Sequence, residues 1–261
     1  MGVVAVPAGV SRRPAEAVDD EVVSQFHQSD HPFSPLTVVI AAYDEEGSIG
    51  SVLARVPDVV CGLPTSVLVV ADGCTDDTAG VARSTGAVVC ATSANRGQGA
   101  ALRLGYRLAR EGGASIVATL DADGQYDPAE LELVVRPIVD GTADFVTGSR
   151  RLGDDHGARR LRATGVVLFA RVISLLGGQP ITDPANGLRA MRAEVTGTVS
   201  LRQPQYQAAE LILGAALRGY RIGEVPTTMS PRTSGRTKKG PDLLYGIRFA
   251  RVIITTWLRG G

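Results

Sequence analysis

No stretch of this 261-residue chain is both long and apolar enough to read as a membrane span. Gly165–Gly177 comes nearest, but it is short and Arg171 interrupts it, and Leu243–Leu258 carries Arg248 and Arg251. A secretory signal is missing too, because Arg12 and Arg13 follow the mildly apolar Met1–Val10 rather than precede it. Cysteine is scarce: Cys61, Cys74 and Cys90 have neither an even count nor metal-ligand spacing, which argues against a disulfide framework or a zinc site. They read as reduced thiols of a cytoplasmic protein. An excess of one charge is also lacking, with 27 basic and 27 acidic residues, so no global field points to nucleic acid. Internal repeats and low-complexity tracts are absent. These absences leave a soluble protein that can touch a membrane, at the inner face, without crossing it.

What is present is alternation. Residues 1–35 have no sustained period and read as a disordered or loosely attached leader. From Leu36 onward, β-rich apolar runs alternate with helical patterns: strands at Leu36–Ala42, Ser66–Ala71, Ala87–Ala91, Ser115–Leu120 and Asp144–Thr147. Between them lie helices at Ser48–Val56, Asp76–Ser84, Gln98–Glu111 and Pro128–Asp140. Helices of that length between strands imply right-handed crossovers, hence an α/β fold with a mostly parallel central sheet flanked by helices. The second half is less regular, with helices at Ala158–Leu176, Arg192–Val199 and Gln207–Arg218 and strands at Gly187–Ala190 and Arg221–Val225. A basic loop, Pro231–Gly240, precedes a last helix near Asp242–Leu258. No linker divides 36–230, so one domain is expected, followed by a C-terminal amphipathic helix over 241–261. That helix sets Arg248, Arg251 and Arg259 opposite Ile247, Ile254 and Leu258, a pattern suited to anionic lipid or to packing on the domain.

The chemistry gathers at strand ends. Four consecutive strands finish in polar or Gly-containing loops: Ala42-Tyr43-Asp44-Glu45-Glu46, Asp72-Gly73-Cys74-Thr75-Asp76-Asp77-Thr78, Asn95-Arg96-Gly97-Gln98-Gly99 and Asp121-Ala122-Asp123-Gly124-Gln125. In an open α/β sheet, ligands bind at that edge. Caps and turns explain each loop alone, but not readily all four together. Asp121 and Asp123, with Gln125, offer hard oxygens that suit Mg²⁺ or Mn²⁺.

These motifs resemble the inverting family 2 glycosyltransferases of the GT-A, Rossmann-like fold over essentially residues 36–240. Asp72 to Thr78 matches most of the usual Asp-Asp-Gly-Ser-Thr-Asp-Gly-Thr, with Ala71 in place of the first Asp. Asn95 to Ala101 resembles the Asn-x-Gly-x-Gly-x-Ala loop. Asp121-x-Asp123-x-Gln125 is similar to the metal motif of the dolichyl- and polyprenyl-phosphate sugar transferases. Gly148-Ser149-Arg150, Asp183 to Arg189, and Arg232-x-x-Gly235-x-Thr237-Lys238 resemble later motifs of that subgroup.

The resemblance implies a metal-dependent sugar transfer from a GDP- or UDP-sugar to a polyprenyl phosphate. Asp123 would be the leading metal ligand, with Asp121 and Gln125 direct or through water. Ala42, Tyr43, Glu45, Asp72, Arg96, Gly97, Asp121 and Ala122 would line the donor pocket, with Asp44 or Glu46 as further candidates to hold the nucleoside. Ala71 leaves open which base is read. Arg150, Asn186, Arg232 and Lys238 would hold phosphate or acceptor, whereas Arg236 and Lys239 read as solvated. Asp123, Arg189 and Glu210 are the catalytic candidates, Glu210 as a base if the acceptor is a soluble or glycan hydroxyl. A nucleotidyltransferase or a non-catalytic nucleotide-sugar binder is the alternative of another class. The first of these would need a Gly-rich basic loop after strand one, where Tyr43-Asp44-Glu45-Glu46 stands instead.

Overall fold

The computed structural model describes residues 19–20, 22–24, 26, 33–153, 160–203, 205–232 and 242–260. β1 (Leu36–Ala42) leads into α1 (Glu46–Leu53), the short β2 (Val59–Val60) and β3 (Leu63–Asp72). Next come α2 (Thr78–Ser84), β4 (Val88–Thr92), α3 (Gln98–Glu111) and β5 (Ile116–Thr119). A 3₁₀ turn at Pro128–Glu130 opens α4 (Leu131–Val139), followed by β6 (Phe145–Ser149), α5 (Arg160–Gly177) and β7 (Arg189–Arg192). The chain continues through α6 (Ala193–Thr198), α7 (Gln207–Leu217), β8 (Ile222–Pro226) and α8 (Asp242–Arg259).

The strands form one mixed sheet, β4-β3-β1-β5-β7-β6-β8, with β2 antiparallel to the start of β3. β4, β3, β1 and β5 are parallel, as are β6 and β8, while β7 runs against β5 and β6. The expected mostly parallel α/β sheet is therefore found. Alternation explains its two cores: Val39, Leu68 and Val70 face α3, α7 and α8, whereas Leu36, Val38, Ile40, Val69 and Ala71 face α1, α2 and α4. Each fully buried Val, Leu or Ile contributes about 1.5–3 kcal/mol, so this double-sided burial fixes the strand edge on which the loops stand.

Three boundaries differ for local reasons. α1 begins at Glu46 rather than Ser48, because Glu45 takes the capping position and its carboxylate accepts from Ser48 Oγ at 3.1 Å. The strand expected at Gly187–Ala190 is shifted to Arg189–Arg192, since Asn186 Oδ1 takes the Leu188 amide at 2.9 Å and holds that stretch as a turn. The leader is also not loose throughout: residues 19–20, 22–24 and 26 are helical, and Val22, Val23 and Phe26 are buried in the core. Their polar neighbours Asp19 and Asp20 conceal this apolar face from a periodicity reading.

Candidate active site

The four loops meet at the carboxyl edge of β1, β3, β4 and β5. The first two interlock through carboxylates. Asp44, with φ at +49°, accepts from the Thr75 amide at 2.7 Å and its hydroxyl at 3.2 Å. Glu46 N donates to Asp76 at 3.1 Å, and Asp77 N returns a bond to Glu46 at 3.2 Å. Cys74 Sγ lies 3.5 Å from the Ala42 carbonyl. The Asp44 charge beside Tyr43 raises its phenol above the ordinary value. Among the described residues, Asp44, Cys74 and Asp76 bring potential ligand atoms within 4.8 Å of one another. Both carboxylates are already engaged in holding these turns.

Asp72 is buried and turned inward. It accepts from the amides of Arg96 at 2.9 Å and Gly97 at 2.8 Å, and from Thr92 Oγ1 at 3.2 Å. Burial raises its carboxyl above the ordinary value, against the lowering effect of those donors. Its bonds go to the loop, so Asp72 fixes the Asn95–Gly97 turn, and the expected free carboxylate for a nucleoside is not presented. Gly97 sits at φ +94° as α3 begins, a conformation that favours glycine and lets the backbone turn sharply into the helix.

The fourth loop carries the acidic run. Asp121 is partly exposed, with Gln98 Nε2 at 3.4 Å, and Ala122 is buried beside it. Gly187 packs so closely here that a Cβ would lie 2.1 Å from Asp121 Oδ2, so a glycine is required for the carboxylate to occupy this place. Asp123, 5% exposed, accepts from the Gln125 amide at 3.1 Å and pairs with Arg232 Nη2 at 2.8 Å. Gln125 donates its side-chain amide to the Ser230 carbonyl at 3.2 Å, and Ser230 N returns a bond to the Gln125 carbonyl at 2.8 Å. Arg232 also lies 3.5 Å from Glu45, so one guanidinium joins the first loop, the fourth loop and the chain after β8. Arg189 is buried at the start of β7; its Nε donates to the Asn186 carbonyl at 2.7 Å, and Nη1 has no hydrogen-bond partner among the described residues.

Other sequence candidates are committed elsewhere. Arg150 forms a two-pronged pair with buried Asp183 at 2.6 and 2.7 Å, and its own amide donates to the same carboxylate at 3.1 Å. Burial would raise the Asp183 carboxyl, but Arg150 prevails and holds it below the ordinary value. Asn186 is fully buried and donates to Thr227 at 3.2 Å. Arg150 and Asn186 therefore brace the 183–189 turn behind the site rather than lying open to phosphate. Glu210 is fully buried as well: it accepts from the amides of Arg202 at 3.0 Å and Gln203 at 2.9 Å and pairs with Arg259 at 2.7 Å. Such a carboxylate ties α7 to the 202–203 turn and α8, and the expected general-base role has no geometric support. Lys238, with Arg236 and Lys239, lies outside the described residues.

The sequence reading missed the polar interior behind Asp121. Tyr106, Thr119 and Gln207 are buried near Arg189; Thr119 Oγ1 donates to the Gly187 carbonyl at 2.8 Å, while the Tyr106 hydroxyl and the Gln207 amide have no hydrogen-bond partner among the described residues. Tyr106 lies on an otherwise apolar helix face and reads as core; only its hydroxyl could have signalled otherwise. Cys90 is inert by burial, its thiol pushed up to about 12.

The Glycosyl transferase family 2 profile matches residues 37–199, the segment from β1 to the end of α6. The chain is a family 2 glycosyltransferase. The transferase is 35% identical over 213 residues to the dolichyl-phosphate hexose transferase of Haloferax volcanii, covering 82% of this chain and 90% of that protein. It is 28% identical over 234 residues to the undecaprenyl-phosphate mannosyltransferase of Micrococcus luteus, covering 84% and 92%. Its fold is that of glucosyl-3-phosphoglycerate synthase from Mycobacterium tuberculosis, solved with Mn²⁺ and UDP, at a TM-score of 0.65 and 21% identity over 91% of this chain and 83% of that one. The expected GT-A fold and glycosyltransferase activity thus hold. Among the described residues no helix is long and apolar enough to cross a membrane.

Proposed function

We propose that this glycosyltransferase moves a sugar from a UDP- or GDP-sugar to a polyprenyl phosphate, inverting the anomeric carbon in one displacement. The observation that carries the reading is the Asp123–Arg232–Glu45 bridge at the strand edge, beside Asp121 and Arg189. It sets anionic ligands for a cation next to two guanidiniums for phosphate. Asp121 and Asp123, with Gln125, fit Mg²⁺ or Mn²⁺: the donors are hard oxygens and Gly187 leaves room for Asp121, while Asp123 would exchange its Arg232 contact for the ion. When bound, the ion neutralises charge growing on the departing diphosphate. Arg232 Nη1, which among the described residues has only its 3.5 Å ion contact, and Arg189 Nη1 keep hydrogen-bonding capacity for phosphate oxygens. A phosphate acceptor is anionic at neutral pH and needs no base, which agrees with Glu210 being committed elsewhere. The relatives acting on dolichyl and undecaprenyl phosphate support the same acceptor class.

The test supplies Mn²⁺ or Mg²⁺, UDP- and GDP-sugars, and either polyprenyl phosphate or water-soluble hydroxyl acceptors, and measures nucleoside diphosphate release. Lipid phosphate is expected to accelerate release at least about tenfold, equivalent to about 1.4 kcal/mol of transition-state stabilisation. Release that responds only to a soluble acceptor overturns the lipid reading.

The same reading places the enzyme on an anionic bilayer. α5 and α8 pack through Phe169 and Phe249, whose centroids are 4.8 Å apart. Each leaves an apolar stripe uncovered: Leu168, Val172 and Leu175 on α5, and Ile247, Ile254 and Leu258 on α8. The α8 stripe was read from sequence as a face for the domain or for lipid; the domain instead takes Phe249, Val252 and Ile253. Arg171 and Arg248 are exposed beside the stripes and Arg251 falls on the α8 stripe itself, at i+4 from Ile247, rather than opposite it as expected; the two helices hold no acidic residue except Asp242. Basic flanks around apolar stripes match anionic lipid. Leu175→Glu with Leu258→Glu is expected to lower binding to phosphatidylglycerol vesicles at least about tenfold, since each buried leucine contributes about 1.5–3 kcal/mol. Unchanged vesicle flotation, or self-association in place of vesicle binding, would refute the lipid surface.

A further inference from the structure

We infer that Asp19, in the segment before the family domain, is a positioning residue for the donor loop. This rests on the reading that the strand-end loops hold a nucleoside diphosphate sugar. Asp19 is 2% exposed and spans two elements with one carboxylate: Oδ1 takes Arg96 Nη1 at 2.8 Å, and Oδ2 takes Arg103 Nε at 2.8 Å. Arg96 belongs to the Asn95–Gly97 loop and Arg103 to α3, so the carboxylate staples the side chain of the loop to the helix that the loop begins. On its other side Arg96 Nε lies 3.7 Å from Asp72, whose second oxygen receives the Arg96 and Gly97 amides. The loop is therefore held twice, by its backbone from Asp72 and by its side chain from Asp19.

The clamp is dry. Arg96 Nε and Nη2 are buried without a hydrogen-bond partner among the described residues, so the Asp19 bond is the one hydrogen bond that fixes this guanidinium. Without it the guanidinium keeps only the 3.7 Å contact with Asp72 among the described residues and swings toward water, taking the loop with it. Val22, Val23 and Phe26 anchor the segment in the core, which keeps Asp19 in place without a contribution from the loop itself. A neighbouring carboxylate supplies the contrast: Asp20 is largely exposed and pairs with Arg107, away from the loop. Positioning of this kind acts through geometry, because a site must be held within a fraction of an ångström to bind well.

The experiment uses the full chain and measures UDP and GDP binding by calorimetry with Mn²⁺, alongside circular dichroism melts. In Asp19→Asn the dissociation constant for the nucleotide that the wild type binds is expected to rise about tenfold at a temperature where the variant is folded. Asp20→Asn is expected to stay within about twofold of wild type. Asp19→Glu keeps the charge, and with it the fold, but displaces the carboxylate by one methylene; it is expected to weaken binding about threefold. This second variant decides the matter if Asp19→Asn does not fold. A folded Asp19 variant that melts lower yet binds nucleotide as tightly as wild type overturns the proposal, because a merely structural role moves only the melt. Wild-type protein that binds neither nucleotide overturns the donor reading itself.

Discussion

Asp123→Ala is expected to lower sugar transfer by about 10³-fold or more while leaving the fold intact, because the metal it would hold stabilises the departing diphosphate by several kcal/mol and each 1.36 kcal/mol is a factor of ten. The loss falls on the chemical step, since charge on the diphosphate grows as the sugar leaves. The fold survives because Asp123 bonds to the loop amide of Gln125 and to Arg232 at the sheet edge, while the cores on both sides are apolar. The substitution also releases Arg232, so Asp123→Asn belongs beside it: Asn keeps the size and an acceptor for the Gln125 amide but loses the charge. Both are measured as nucleoside diphosphate release with Mn²⁺, with circular dichroism to confirm folding. A folded Ala variant retaining a tenth of wild-type turnover would exclude Asp123 as a metal ligand.

The second large effect concerns stability. Asp183→Ala leaves Arg150 with its main partner removed from a buried site, and breaking a buried pair costs about 3–5 kcal/mol. For a chain of this size each kcal/mol is about 2–4 °C, so the melting temperature is expected to fall by roughly 10 °C. The pair also gives a pH signature. The Asp183 carboxyl lies below its ordinary value of 3.8 in the fold, so its contribution is fully present above that value and is lost as pH falls through the lower folded one. Melts of wild type and Asp183→Ala should therefore differ most at neutral pH and converge as pH drops below about 4. A constant difference across that range would mean that the Asp183 charge contributes nothing. The cost is expected chiefly in stability, since Asp183 and Arg150 brace the turn that holds Gly187 against Asp121.

Most of the frame was legible because it rests on local signals. Strand β1 and helix α3 lie where apolar runs and a Gly-Gly stop put them, within a residue or two. The acidic run from Asp121 to Gln125 sits at a strand end, as its flanks implied. What escaped is contact between segments far apart in the chain. Asp72 is 24 residues from Arg96 and Asp19 is 77 from it; Asp183 is 33 from Arg150. No period or motif reports which oxygen meets which amide over such spans. Glu210 shows the difficulty best: at the start of an apolar helix it reads as a base beside an acceptor, yet three donors from the 202–203 turn and α8 occupy it.

The sequence by itself determined the α/β alternation, the four polar strand ends and the family, because these follow from side-chain period and short spacing. Only the tertiary structure decided which charged groups remain available. Once buried, a charge must be matched, so Asp72, Arg150, Glu210 and Asp19 are taken up in fixing loops. Asp121 remains partly exposed at the edge, and Asp123, itself buried, meets Arg232 there.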